Sequence, residues 1–80
     1  MIETFNVQQI SINKDFILIR IDSKEIKIPL DKISQKLKNA DDFQRNLYKI
    51  SPSGYGIHWP LIDEDLSVPA LLKEFENKNP

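Results

Sequence analysis

The run Phe16-Ile17-Leu18-Ile19-Arg20-Ile21-Asp22-Ser23-Lys24-Glu25-Ile26-Lys27-Ile28-Pro29-Leu30 decides the fold class. Its first part, Phe16 to Asp22, is rich in β-branched side chains with Arg20 on one face, which predicts a central strand. Its last part alternates strictly from Lys24 to Leu30. Ile26, Ile28 and Leu30 point one way, and Lys24, Lys27 and Pro29 lie off that face. Between them, Asp22-Ser23-Lys24-Glu25 is a polar break of hairpin length that lacks the Asn-Gly pair of the sharpest turns. Upstream, Thr4 to Ile12 also alternates, with a slip at Gln8-Gln9 that predicts a β-bulge or a loose register. Asn13-Lys14-Asp15 supplies the turn between them. Links this short join neighbouring strands, so three antiparallel strands in a meander are expected.

Downstream the period changes. Pro29 ends the third strand or marks its edge. Asp31 stands where a helix N-cap would, ahead of Ile33 and Leu37 at i, i+4, with Lys32, Lys36 and Lys38 outside. Asn39, Asp41 and Asp42 open a second short helix, whose Phe43 and Leu47 share a face and which runs to Tyr48. Ser51-Pro52-Ser53-Gly54 is a turn, and Tyr55 to Trp59 a fourth strand stopped by Pro60. Ser67 then caps a closing helix that tolerates Pro69 in its first turn and buries Leu71, Leu72 and Phe75. Leu66 and Leu71 flank that cap as a hydrophobic staple, and Asp63, Glu64 and Asp65 crowd just ahead of its positive end. Asn77 to Pro80 is expected to fray. The expectation is one α+β domain over residues 1–80, with an antiparallel sheet of about four strands.

Composition narrows the chemistry. Eighty residues with 40% apolar content and seven aromatics support one small core. Without cysteine there is no disulfide, thiolate metal site or cysteine nucleophile. A single histidine leaves no second imidazole to complete a zinc site. No apolar run approaches the roughly 20 residues that span a bilayer, and no signal-peptide pattern opens the chain. These features set the expectation of a cytoplasmic protein that does not enter a membrane. Charge is uneven along the chain: residues 14–49 hold nine Lys/Arg against six Asp/Glu, and residues 50–80 hold two against five.

Three features invite a functional reading. His58 lies close to Asp63 and Asp65, and a histidine–carboxylate pair is the core of general acid–base catalysis or of weak divalent-metal binding. The commoner role of a histidine on an alternating strand is to face away from the core. Trp59 suits base stacking or a partner anchor, but beside Ile57 and Pro60 it fits the core better. Gly54-Tyr55-Gly56 lacks the further glycine and lysine of a phosphate-binding loop, and serves a turn with positive φ. The lysines at 24, 27, 32, 36 and 38 form a modest basic strip, interleaved with Asp22, Glu25 and Asp31, so nucleic acid is not expected to bind this chain tightly by itself.

The stretch Gly54-Tyr55-Gly56-Ile57-His58-Trp59-Pro60, followed by Asp63-Glu64-Asp65-Leu66-Ser67-Val68 and Leu71-Leu72, resembles a bacterial family known as domain of unknown function 2442. Ile28-Pro29-Leu30, Ala40, Gln44-Arg45 and Tyr48 are similar to the family's strand end and second helix. The chain departs from the pattern in showing Ile33-Ser34, with an extra residue, where Phe-Pro is usual. The resemblance implies a small α+β domain of bacterial or phage origin with no established activity or cofactor. It also implies an association with neighbouring short proteins in pairs that look like toxin–antitoxin modules. Some members carry a helix-turn-helix after the domain, and a chain ending at Pro80 is expected to lack that DNA-reading segment.

These readings together lead to a non-enzymatic protein-binding module, antitoxin-like or regulatory, with a cognate protein partner and a possible homodimer. Its contact residues are expected to be Tyr55, His58, Trp59, Asp63, Glu64 and Asp65, with no catalytic, metal or cofactor site. An open edge strand is a second candidate surface for strand addition. The alternatives are a weak DNA-binding transcriptional regulator using the lysines at 24–38, and a small ligand-binding or enzymatic domain using His58 with Asp63 or Asp65.

Overall fold

The computed structural model describes residues 5–75. Strands β1 (Val7–Ile12), β2 (Phe16–Ile21) and β3 (Lys24–Pro29) pair antiparallel in the order β1-β2-β3. This is the meander that the alternation requires. The register slips between Val7 and Gln9, so the bulge falls on Gln8, where the apolar period breaks. Gln8 stays in use there, because its side-chain oxygen accepts from the Ser23 amide at 2.9 Å. Ile17, Ile19 and Ile21 of β2, with Ile26 and Ile28 of β3, form the inner face and are buried.

The β2–β3 hairpin closes through Asp22 and Ser23 alone, since Lys24 already pairs with Ile21. Both loop residues have positive φ, 50° and 70°. Two consecutive left-handed residues make a turn of the type that matches strand twist and favours Asn-Gly. Asp22 accepts from the Asn6 amide at 3.1 Å, which offsets part of its strain. Ser23 carries a Cβ in a region where glycine is free of penalty. Ser23→Gly is therefore expected to raise stability by about 1 kcal/mol, read as a higher urea midpoint at unchanged m-value. No gain, or a loss, would mean that the strain at Ser23 is negligible.

The chain leaves β3 through a single 3-10 turn, Leu30–Lys32, and enters helix α1 (Gln35–Asn39). The cap is Ser34, whose hydroxyl accepts from the Leu37 amide at 3.0 Å. The sequence places the cap at Asp31, one turn too early. Leu30 is fully buried and holds the chain in the tighter turn, so the α-helix starts only where a second oxygen side chain is available. Helix α2 (Asp42–Arg45) has the expected acidic start, with Asp41 and Gln44 forming a capping box.

Helix α2 stops well short of Tyr48. Asn46 leaves the helical path, and its side-chain Nδ2 donates back to the Asp42 carbonyl at 2.8 Å. The Phe43/Leu47 stripe consequently covers nothing, and the two side chains are 71% and 41% exposed. The buried residue of this helix is Arg45, only 6% exposed.

The fourth strand of the sequence reading is present as β5 (Gly56–Trp59), but it does not join the meander. It pairs antiparallel with the two-residue β4 (Lys49–Ile50) and with β6 (Glu64–Ser67), giving a second three-stranded sheet in the order β4-β5-β6. The α+β class stands, with six strands in two sheets among the described residues. Helix α3 (Val68–Phe75) follows directly, and the Ser67 hydroxyl accepts from the Ala70 amide at 3.2 Å as the cap. Leu66 and Leu71 on either side of that cap are both buried in the core. Both sheets turn their inner faces to this core, where Ile57, Trp59, Leu66, Val68 and Leu71 meet the isoleucines of β2 and β3. The fraying expected at Asn77 to Pro80 lies outside the described residues.

Candidate functional site

Strand β5 alternates, so Ile57 and Trp59 face the core while Gly56 and His58 face out. The register then places His58 between Lys49 on β4 and Asp65 on β6, three polar residues in one row across the second sheet. His58 Nδ1 lies 2.8 Å from Asp65 Oδ1, with side-chain exposures of 42% and 73%. A contact between two such exposed groups contributes little, so His58→Ala is expected to cost less than about 1 kcal/mol. A chemical-denaturation midpoint lowered by more than that would mark His58 as structural.

The acidic trio does not form one loop. Asp63 sits in the turn after β5 with φ at 53°, and its carbonyl accepts from Lys36 Nζ at 2.9 Å. Glu64 and Asp65 already belong to β6, so they point to opposite sides of the sheet. Glu64 turns toward α1, where its carboxylate accepts the Ser34 hydroxyl proton. Its other oxygen accepts from the Asp65 amide at 3.0 Å. Glu64 thus ties the cap of α1 to the second sheet, and only Asp63 and Asp65 remain exposed as surface charges.

Trp59 is withdrawn from the surface. Its side chain is fully buried, so its place among the expected contact residues does not hold. The indole Nε1 donates to the Arg45 carbonyl at 2.8 Å, and Tyr48 packs on the ring with centroids 5.9 Å apart. Arg45 in turn closes the end of α1. Its Nε donates to the Leu37 carbonyl at 3.0 Å, one terminal nitrogen donates to the Lys38 carbonyl at 3.3 Å, and the other pairs with Asp42 at 2.8 Å. In the sequence Arg45 stands out only within the family-like second helix and as a residue three positions after Asp42, and neither cue signals its burial or its carbonyl partners.

Tyr55 is 39% exposed and packs edge-on against Phe5, with centroids 5.1 Å apart. Gly54 before it has φ at 76°, as a turn glycine should. A Cβ built there would lie 1.8 Å from the Phe5 carbonyl oxygen, so this position also carries a close backbone approach.

The five lysines of the basic strip are dispersed. Lys27 lies over the Phe16 ring at 4.4 Å, Lys36 binds the Asp63 carbonyl, and Lys38 pairs with Asp15 at 3.5 Å. Lys24 and Lys32 are exposed elsewhere. A surface concavity of about 500 Å³ is lined by Asn13, Lys14, Ala40, Asp41, Asp42 and Arg45. Two more lie on the outer face of the first sheet, around Leu18. These concavities do not include His58 or Asp65. Among the described residues no group of three or more His, Cys, Asp or Glu side chains converges as a metal cage, and no helix is long and apolar enough to cross a membrane.

No curated protein matches the sequence. A solved structure of a protein of unknown function from Rhodospirillum rubrum is similar over 95% of both chains, with a TM-score of 0.70 and 25% identity. A similar overall fold is thus found in a distant sequence. A family model described as "Protein of unknown function (DUF2442)" matches residues 7–77, nearly the whole of the domain just described. The chain belongs to the DUF2442 family.

Proposed function

We propose that this domain is a non-enzymatic protein-binding module, an antitoxin-like or regulatory component that docks a cognate bacterial or phage-encoded protein on the outer face of its second sheet. The observation that carries this reading is the exposed row Lys49–His58–Asp65 across the outer face of the second sheet. An open face of charged and aromatic side chains suits a partner surface better than a small substrate, which needs enclosure. A partner with Lys or Arg opposite Asp63 and Asp65 is the chemical match.

The test is co-purification with the protein encoded beside this chain, followed by the double variant Asp63→Asn/Asp65→Asn. Glu64 is left intact because it holds Ser34. The variant is expected to weaken the complex about tenfold, a change of ~1.4 kcal/mol, and to flatten its salt dependence. Unchanged binding, or no co-purifying protein, refutes the reading.

A second reading has one observation in its favour, the 2.8 Å approach of His58 to Asp65, the geometry of an oriented base. It requires a small ligand that perturbs the His58 ring signals in NMR. A panel of phosphates, carboxylates and amines that leaves those signals unmoved removes it.

A further inference from the structure

The two free edges of the first sheet are built differently. Strand β3 exposes an edge guarded by Glu25 and Lys27 and ended by Pro29, which has no N–H to offer. Strand β1 holds no ionisable residue from Val7 to Ile12, and among the described residues it pairs with β2 alone. In the second sheet, β4 is only two residues long and β6 carries Glu64 and Asp65. Among the described residues, strand β1 is the edge without such a guard.

The register says which of its backbone groups are open. Asn13 N–H donates to the Phe16 carbonyl at 3.0 Å, and bonded pairs alternate along an antiparallel ladder. Ser11 and Gln9 therefore bond to β2 opposite Leu18 and Arg20, while Ile10 and Ile12 turn their N–H and C=O groups outward. The side chains of the same two isoleucines face the core but stay half-buried. Their neighbours Ile17, Ile19 and Ile28 are fully buried. The core thus reaches this edge, where its outermost isoleucines keep part of their surface exposed among the described residues.

We infer that the β1 edge takes a second copy of this chain. An antiparallel pairing about a two-fold axis through Ser11 sets Ile10 of each copy against Ile12 of the other. That register pairs all four outward-facing backbone groups of each strand. It keeps the isoleucines on the inner side, and it joins the two meanders into one six-stranded sheet. Identical strands meet on such an axis, so any charge there would face itself, and β1 carries none. That neutrality selects a second copy over a charged partner strand. The Gln8 bulge ends the edge on one side, so the contact is short and belongs to the weak class of interfaces. This inference does not depend on the partner-binding reading, which uses the other sheet.

The test is sedimentation of the full chain over a concentration series. The mass is expected to rise from 9.3 kDa toward twice that value as concentration increases. Ser11 is exposed and sits opposite itself on the axis, so Ser11→Lys and Ser11→Glu should each remain monomeric, with circular dichroism showing the fold intact. An equimolar mixture of the two should associate again. In parallel, the Ile10 and Ile12 amides should become protected from hydrogen exchange only as concentration rises. A wild type that stays monomeric overturns the inference. So do single variants that dimerise like wild type, or a mixture that fails to recover. Amides protected at every concentration would also overturn it, since the chain would then be covering its own edge.

Discussion

Trp59→Ala is expected to remove a large share of the stability of this domain. A fully buried tryptophan cut back to alanine costs about 3–5 kcal/mol in lost burial and cavity formation. A chain of 80 residues has roughly 4–12 kcal/mol in total, at the usual 0.05–0.15 kcal/mol per residue. The indole does more than fill space, because its N–H satisfies the Arg45 carbonyl while Arg45 closes α1. Trp59→Phe separates these contributions. It keeps an aromatic ring against Tyr48 but strands a buried carbonyl, at an expected cost of about 1–3 kcal/mol. Urea unfolding followed by far-ultraviolet circular dichroism reads both variants without relying on tryptophan fluorescence. A Trp59→Phe variant as stable as wild type would show that the hydrogen bond to Arg45 contributes nothing.

Gly54→Ala is the second large effect. The left-handed φ of 76° alone costs an alanine about 1–2 kcal/mol. The added methyl also has nowhere to go, since backbone rather than a movable side chain stands 1.8 Å from its ideal position. Relief requires the Phe5 segment to leave the turn, which breaks the Phe5 amide bond to the Ser53 carbonyl and the Phe5–Tyr55 ring contact. The total expected loss is about 2–4 kcal/mol. Gly56→Ala, two residues on, is the control. Its Cβ would meet only the Leu66 carbonyl oxygen at 3.8 Å, an ordinary contact, so a change within about 1 kcal/mol of wild type is expected. Equal losses at both glycines would refute the close approach at Gly54.

The candidate site residues divide between those set by local pattern and those set by strand pairing. His58 was legible as an outward residue of an alternating strand, and its approach to Asp65 follows once β5 and β6 pair. The acidic trio reads in sequence as one patch ahead of a helix. It is not one patch, because pairing with β5 makes Glu64 and Asp65 part of a strand, and a strand sends neighbours to opposite faces. Glu64 is thereby spent on Ser34. Nothing local to the sequence signals that partner, thirty residues away.

The first half of the domain is written in local pattern. A period of two, a slip at Gln8 and two short polar breaks are enough to specify a three-stranded meander, because its pairings all lie close along the chain. The capped starts of α2 and α3 are legible for the same reason, since caps act within three residues. Tertiary structure decided where those helices end and what they cover. Phe43 and Leu47 have the spacing of a buried stripe yet stand exposed, while Arg45 goes inside because the carbonyls ending α1 and the indole of Trp59 converge on it. The second sheet was decided in the same way. Strand β4 has two residues and β6 one apolar side chain in four, so neither shows an apolar period, although both pair with β5 only five to eleven residues away along the chain. The sheet is supported by contacts distant in sequence, since Ile57, Trp59 and Leu66 on its inner face meet the isoleucines of β2 and β3, and no short window of residues contains both.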